Sequence, residues 1–318
     1  MGTVVVLGSI ITDLVARAPR LPQPGESLIG DDFATYLGGK GINQAIAAAR
    51  LGARVTMIGS VGTDAFGDAF FPVLEQEGIN SRFVSRDQQH GTGVSVLVID
   101  SNTGQNMIVV NQRANLTVTA EIVEQALQSA QQEQTSGKRI FLAQCETSTI
   151  SYTRGIALAH QLGMLTILNA APVPREPLSD ALLAQLNILI VNETEAALLS
   201  GIPINDLTNA QQAGATLLAR GPQHVLITLG AQGCLWSTHA DTGMGIQHQH
   251  IAPIPVKAVD ATAAGDAFCG ALAASLADEM PIALALQRAS ATGALTATRH
   301  GAIAALPTAE EVARLLAQ

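Results

Sequence analysis

Residues Thr3–Leu7 form an unbroken apolar, β-branched run that stops at Gly8-Ser9, the pattern of a strand buried on both faces of a parallel sheet. The texture then changes. From Leu14 to Tyr36, short strand-like pieces are separated by Pro19, Pro22, Pro24 and Gly25 without a helical period, which predicts two strands of a small sheet outside the main core. Helical spacing begins at Gly41 and runs to Leu51. It is followed by a strand over Val55–Ile58, a loop over Gly59–Asp64 and a helix over Phe66–Glu77. Thr92–Asp100 and Gln105–Val110 predict a hairpin across Ser101-Asn102-Thr103-Gly104.

Beyond Val110 the two periods alternate. Helices are expected at Ala120–Gln132, Thr149–Leu162, Glu193–Ser200, Thr208–Ala219, Asp266–Ala277, Ile282–Ala297 and Ala309–Ala317. Strands are expected at Ile140–Leu142, Leu165–Leu168, Ile188–Val191, Val225–Leu229 and Cys234–Ser237. Such alternation predicts an α/β fold, a mostly parallel sheet with helices on both faces. Polar residues recur just past the strand ends: Asp13, Glu146, Asn169, Asn192 with Glu195, and Thr228 with Gly230. The carboxyl rim is where an α/β sheet assembles its ligand site, so these positions predict one shared site. Asp13 also has a plainer reading, as a turn aspartate.

Composition narrows the class. Aromatics make up only 3% of 318 residues, so the core must be aliphatic and alanine-packed, with few platforms for stacking bases. A net charge of −9 without basic runs argues against nucleic acid or an anionic membrane as partner. Cys145, Cys234 and Cys269 lie far apart with no CxxC, which suggests reduced thiols and a cytoplasmic location. TVVVLGSI turns polar too soon for a signal peptide, and no apolar run approaches spanning length.

The most chemically suggestive stretch is DATAAGDAFCGAL, Asp260–Leu272. Small residues open a helix there, leaving N–H donors and the positive end of the helix dipole free for a phosphate. Asp266 sits in the first turn, placed to accept a hydroxyl proton while the amides of Ala263, Ala264 and Gly265 take up charge on a transferred group. An ordinary Asp-rich helix start is the competing reading. A second small-residue helix start, LGGKGINQAIAAARLGA at Leu37–Ala53, carries Lys40 and Asn43 as its polar groups. The glycines flanking Lys40 point to close backbone approach rather than a solvated surface lysine.

Together with GSIITD (Gly8–Asp13), NETEA (Asn192–Ala196) and ITLGAQG (Ile227–Gly233), these two stretches resemble the PfkB/ribokinase family of sugar kinases. The five motifs fall in the family's order and cover nearly the whole chain, and they look most like the ribokinase branch. The resemblance implies one ribokinase-like α/β domain over residues 1–318. Strands inserted at about 14–36 and 92–113 would form a β-sheet lid over the sugar and often pair between two subunits as a homodimer. It implies an ATP-dependent transfer to the 5-hydroxyl of ribose, with Asp266 as base and Gly265 also meeting ATP. Asp13, Gly39, Lys40, Asn43 and Glu146 would bind the sugar. Asn192, Thr228, Gly230 and Gly233 would bind ATP, and Glu195 would hold Mg²⁺ through water. Read locally, Asn192 and Glu195 also have the spacing of a capping box. Asp260 and Thr262, with carbonyls of Thr296, Arg299 and Gly301, match the family's site for a monovalent cation, K⁺.

Two positions depart from the family. Ala305 stands where a serine hydroxyl usually reaches the cation, which weakens the expectation of potassium activation. Ile11 stands where ribokinases carry an asparagine in SxNxD. Isoleucine leaves a sugar hydroxyl unpaired at a cost of roughly 1–3 kcal/mol, so 2-deoxyribose competes with ribose as substrate. Another sugar or nucleoside kinase of the family is a further alternative, and a sugar sensor without catalysis is the alternative outside enzymes. Absent motifs argue against other classes: there is no GxxxxGK[ST] of a P-loop kinase, no GxGxxG after the first strand, which weakens a dinucleotide dehydrogenase, and no HExxH. His248 and His250 share a strand face without a third ligand, and Cys145 and Cys269 read as packing residues.

Overall fold

The computed structural model describes residues 1–240 and 245–317. Nine of the described strands form one sheet: β1 (Thr3–Leu7), β4 (Arg54–Gly62), β5 (Asn80–Asp87), β8 (Arg139–Gln144), β9 (Leu165–Asn169), β10 (Ile188–Asn192), β11 (His224–Thr228), β12 (Cys234–His239) and β13 (Ile246–Ile251). Four form a second sheet: β2 (Ile11–Ala18), β3 (Asp32–Gly38), β6 (Gly93–Asp100) and β7 (Asn106–Asn111). The large sheet runs β13-β12-β11-β10-β9-β8-β1-β4-β5, parallel except near one edge, where β12 pairs antiparallel with both β11 and β13. The small sheet runs β3-β2-β6-β7.

Side chains alternate across β1 and divide the interior in two. Val4 and Val6 join one apolar core with Ile42, Ile46, Phe268 and Leu272; Val5 and Leu7 join the other with Val123, Leu127, Tyr152 and Ile156. The first core joins the helices Lys40–Arg50 and Ala264–Ala277, whose close approach needs small residues. A Cβ on Gly270 would lie 2.4 Å from the Gln44 carbonyl oxygen, so glycine is required for the two helices to touch. That contact brings both small-residue helix starts to the same end of the sheet.

The chain leaves the main sheet for the small one between Leu7 and Ile11. There the buried Asn115 side chain accepts from Ile10 N (2.8 Å) and donates to Ile10 O (2.9 Å), clamping both polar groups of one backbone residue.

The α/β class and a second, smaller sheet are present, but the stretch from Val55 to Asp87 differs from expectation in three respects. The strand predicted at Val55–Ile58 extends to Gly62, so Gly59–Gly62 is not loop. Two short helices, Ala65–Asp68 and Phe70–Gln76, replace the single helix over Phe66–Glu77. Asn80–Asp87 forms an edge strand that periodicity did not reveal, because NSRFVSRD is mostly polar. It is held instead by parallel pairing with β4. No helix among the described residues is long and apolar enough to cross a membrane.

Candidate active site

Four parallel strands, β8 to β11, end at one rim in the order Gln144, Asn169, Asn192, Thr228. Their registers pair Gln144 with Asn169 and Asn192 with Thr228. Apolar strands bury their backbones until a polar residue meets open rim, and here each strand ends on one.

Over this rim lies the start of the helix Ala264–Ala277. Ala263 adopts left-handed backbone, φ 58°, a conformation costing roughly 1–2 kcal/mol for a non-glycine residue. The turn it makes aims the helix start at the rim. One predicted anion-hole amide is already taken: Ala264 N donates to Ala261 O at 3.2 Å. The N–H groups of Gly265 and Asp266 have no backbone acceptor among the described residues, and they replace it as first-turn donors. A Cβ built on Gly265 meets no atom within 4 Å, so the space on the side-chain side of Gly265 is open.

Asp266 is 8% exposed. Asn43 Nδ2 donates to its Oδ2 at 3.0 Å and Gln44 Nε2 to its Oδ1 at 2.9 Å. Burial pushes the Asp266 carboxyl up, while Lys40, Gln44 and Asn43 act to hold it down. The half-buried Lys40 stands among three carboxylates. Burial acts to lower its ammonium, but Asp266, Glu146 and Glu195 outweigh that and hold it above the usual lysine value. Burial likewise raises Glu146, opposed by Lys40 and by the hydroxyl that Ser9 donates to Oε2. A half-buried cation ringed by carboxylates of raised pKa is the kind of electrostatic arrangement that marks a functional site.

Gly39 and Gly41 make this geometry feasible. Gly39 has φ 105°, and a Cβ there would lie 2.8 Å from Ile11 N; one on Gly41 would lie 2.4 Å from the Gly8 carbonyl carbon. The helix carrying Lys40 and Asn43 is thereby pressed against the end of β1.

The small sheet contributes Ile11 and Asp13, which share one face of β2 because side chains alternate. Asp13 accepts from the Ser95 hydroxyl on the neighbouring strand, and burial raises its carboxyl despite that bond. Ile11 is buried but belongs to neither apolar core.

Asn192 and Glu195 form a reciprocal capping box: Asn192 Oδ1 accepts from Glu195 N and Glu195 Oε2 from Asn192 N, each at 2.8 Å. The structural reading of that pair therefore holds, and the box leaves the second Glu195 oxygen outside it. Burial raises the Glu195 carboxyl. Beyond Thr228 the chain turns through Gly230 (φ 52°) and Gly233 (φ 88°), where a Cβ would lie 2.1 Å from Ile251 O. This turn flanks the Asn192–Thr228 rim.

Farther from Asp266, the Asp260 carboxylate accepts from Thr262 N (2.9 Å) and Gly301 N (3.0 Å). The Thr296 carbonyl accepts from Arg299 N, and the Arg299 guanidinium is anchored on Glu311. Ala305 is fully buried and offers only a methyl group.

Sequence reasoning missed Ser9, Gln44, Ser95 and Gln144. Gln144 was detectable as the polar end of the otherwise apolar IFLA run, and Gln44 as a polar residue inside an apolar helix face. His248 and His250 lie on β13 at the far edge of the sheet; His248 meets Ser237 and His250 meets Gln232 O. They take no part in the site.

Residues 1–309 match the pfkB family of carbohydrate kinases. The chain belongs to this family. A ribokinase of Mus musculus is 38% identical over 86% of this chain and 81% of its own length. A deoxyribokinase of Salmonella typhi is 29% identical over 97% of this chain and 96% of its own. Among solved structures, a ribokinase of Arabidopsis thaliana complexed with ribose and ATP is 28% identical. It covers 99% of this chain and 98% of that one, at a TM-score of 0.87. The pfkB-family chain described here thus combines the sugar-kinase fold with an intact acidic and amide cluster at the sheet rim.

Proposed function

We propose that this chain transfers the γ-phosphoryl group of ATP to the 5-hydroxyl of D-ribose. The observation that carries this reading is Asp266: a buried carboxylate in the first turn of a helix with free amides, both oxygens held by side-chain amides. In this reading, the sugar rests between Asn43, Glu146 and Lys40 on one side and Ile11 and Asp13 on the small sheet. Its hydroxyl gives a proton to Asp266 as the oxygen attacks the γ-phosphorus, and the bond to the β-phosphate oxygen breaks. The amides of Gly265 and Asp266 stabilise charge on the group in flight. ATP lies along Asn192, Thr228, Gly230 and Gly233.

Magnesium fits the donors present. It prefers few protein ligands and many waters, and Glu195 offers one oxygen outside its capping box, with no cluster of three acidic, His or Cys groups among the described residues. When bound, it would neutralise phosphate charge. A monovalent cation fits less well: Asp260 and the carbonyls of Thr296, Arg299 and Gly301 would hold it, with no hydroxyl at Ala305.

The small sheet reads as a lid on the single α/β domain. Its edge strand β7 exposes Met107, Ile108, Val109 and Val110. An open apolar edge of this kind is a pairing surface, so we assign it to a homodimer. Three buried, unpaired cysteines favour a reducing compartment, the cytoplasm.

A second reading, 2-deoxyribose as the preferred sugar, is favoured by Ile11, which shares its β2 face with Asp13. The test of the whole proposal is ADP release from ATP and Mg²⁺ across a panel of pentoses, hexoses and nucleosides. Turnover confined to ribose or 2-deoxyribose supports it. Turnover only with nucleosides or hexoses, or none with any sugar, overturns it.

A further inference from the structure

Behind Asp266 lies a directed chain of side-chain amides. Asn169 Nδ2 donates to Ile190 O at 3.3 Å, a backbone acceptor that cannot reverse its role. Asn169 must therefore turn its Oδ1 toward Gln44, whose Nε2 donates to it at 3.0 Å. The same Gln44 nitrogen donates to Asp266 Oδ1 at 2.9 Å. The remaining Gln44 oxygen accepts from Gln144 Nε2 at 2.6 Å. Gln44 and Gln144 are 0% exposed, so bulk water does not replace a lost partner.

A primary amide is almost symmetric in shape, and its hydrogen-bond partners decide which end faces which way. Gln44 reversed would present an oxygen to the Asp266 carboxylate, an arrangement satisfied only if Asp266 carries the proton. Gln144 itself is pressed over Gly8, where an added Cβ would lie 1.9 Å from its Oε1. That oxygen has no hydrogen-bond partner among the described residues, so the bond its Nε2 donates to Gln44 is the one side-chain hydrogen bond Gln144 makes there.

We propose that Gln144 is a positioning residue: without touching Asp266, it locks the Gln44 amide with its N–H end toward Asp266 and so keeps that carboxylate in the basic form. The proposal rests on the reading of Asp266 as the base. Other groups facing Asp266 are Lys40 at the start of the helix Lys40–Arg50, Glu146 after β8, Glu195 from the helix Glu193–Ser200, and Cys269 one turn along Asp266's own helix. All remain in the variants below.

The test is the pH profile of kcat/KM for the sugar in Gln144→Met, which conserves length and volume but removes the donor. The acid limb moves to higher pH by up to about one to two units, the size expected when a carboxylate loses a hydrogen bond to its charged form. Activity returns to within about twofold of wild type on the alkaline plateau, where Asp266 is ionised in any case. Sugar KM on that plateau is unchanged within the same factor. ATP titrates identically in both proteins and cancels. Gln44→Met, which removes the donor to Asp266 directly, is read in parallel and its acid limb shifts at least as far; Gln144→Leu, which also removes the Gln144 donor, carries the test if Gln144→Met does not fold. An unmoved acid limb, or a loss of equal size at every pH, overturns the proposal. Asp266→Asn separates the two claims. If that variant is inactive while neither methionine variant shifts the limb, the relay fails and the base stands; if it turns over normally, the base reading fails first.

Discussion

Replacing Asp266 by asparagine exchanges one carboxylate oxygen for an NH₂ group in a site where every contact can be followed. The carboxylate accepts one bond on each oxygen, from Gln44 at 2.9 Å and from Asn43 at 3.0 Å. The new amide keeps one acceptor, which Gln44 retains because Asn169 and Gln144 fix its orientation. Its NH₂ then faces the Asn43 NH₂. Asn43 Oδ1 has no hydrogen-bond partner among the described residues, so a flip of Asn43 converts the donor–donor clash into a new bond. The net effect on stability is therefore small, within about 1.5 kcal/mol, the worth of one ordinary hydrogen bond. Catalysis suffers far more. The amide cannot accept the hydroxyl proton, and a lost general base lowers kcat by about 10²–10⁴-fold. That equals about 2.7–5.4 kcal/mol at 1.36 kcal/mol per decade. Sugar KM changes less, because Glu146, Lys40 and Asp13 are untouched. The assay is coupled ADP release at saturating ATP and sugar, with a thermal melt of each protein. An asparagine variant that melts like wild type and turns over within a few-fold of it would refute the reasoning.

For Ile11, loss of a hydroxyl partner worth roughly 1–3 kcal/mol gives a preference for 2-deoxyribose over ribose of about 5–150-fold in kcat/KM. Ile11→Asn should move that ratio toward ribose mainly by improving ribose, and an unchanged ratio means Ile11 does not meet the sugar. KCl titration at constant ionic strength should give weak stimulation, since Ala305 supplies no oxygen; saturable many-fold activation at low millimolar K⁺ would show the missing hydroxyl to be irrelevant. The acid limb of wild-type kcat/KM should lie above the ordinary carboxylate range. Burial raises the Asp266 carboxyl, and the active ionised form is lost as pH falls through that raised value. A limb at or below the ordinary aspartate value contradicts this. Val109→Lys on the exposed edge strand β7 should turn a dimer into a monomer in sedimentation velocity, and a wild-type chain already monomeric at high concentration rules out the pairing.

What the sequence determined by itself is the alternation of strand and helix and the two small-residue helix starts, with Asp266, Lys40 and Asn43 as the polar groups they carry. These follow from local chemistry: β-branched runs bury as parallel strands, and glycine and alanine are used where backbones must approach a ligand or each other. Asn192 and Glu195 were legible for the same reason, since a capping box is set by residues three apart. Only the tertiary structure decided the rest. The strand Asn80–Asp87 is polar and exists because β4 offers it a partner, an interaction no window along the chain contains. The Ala264 amide is withdrawn from the anion site by a turn whose closure depends on the left-handed Ala263. The chain of amides from Asn169 through Gln44 to Gln144 joins three elements separated by up to 125 residues, and its direction comes from one backbone carbonyl at Ile190. Sequence specifies which groups are available; the direction in which a symmetric amide points is decided by neighbours that only folding brings together.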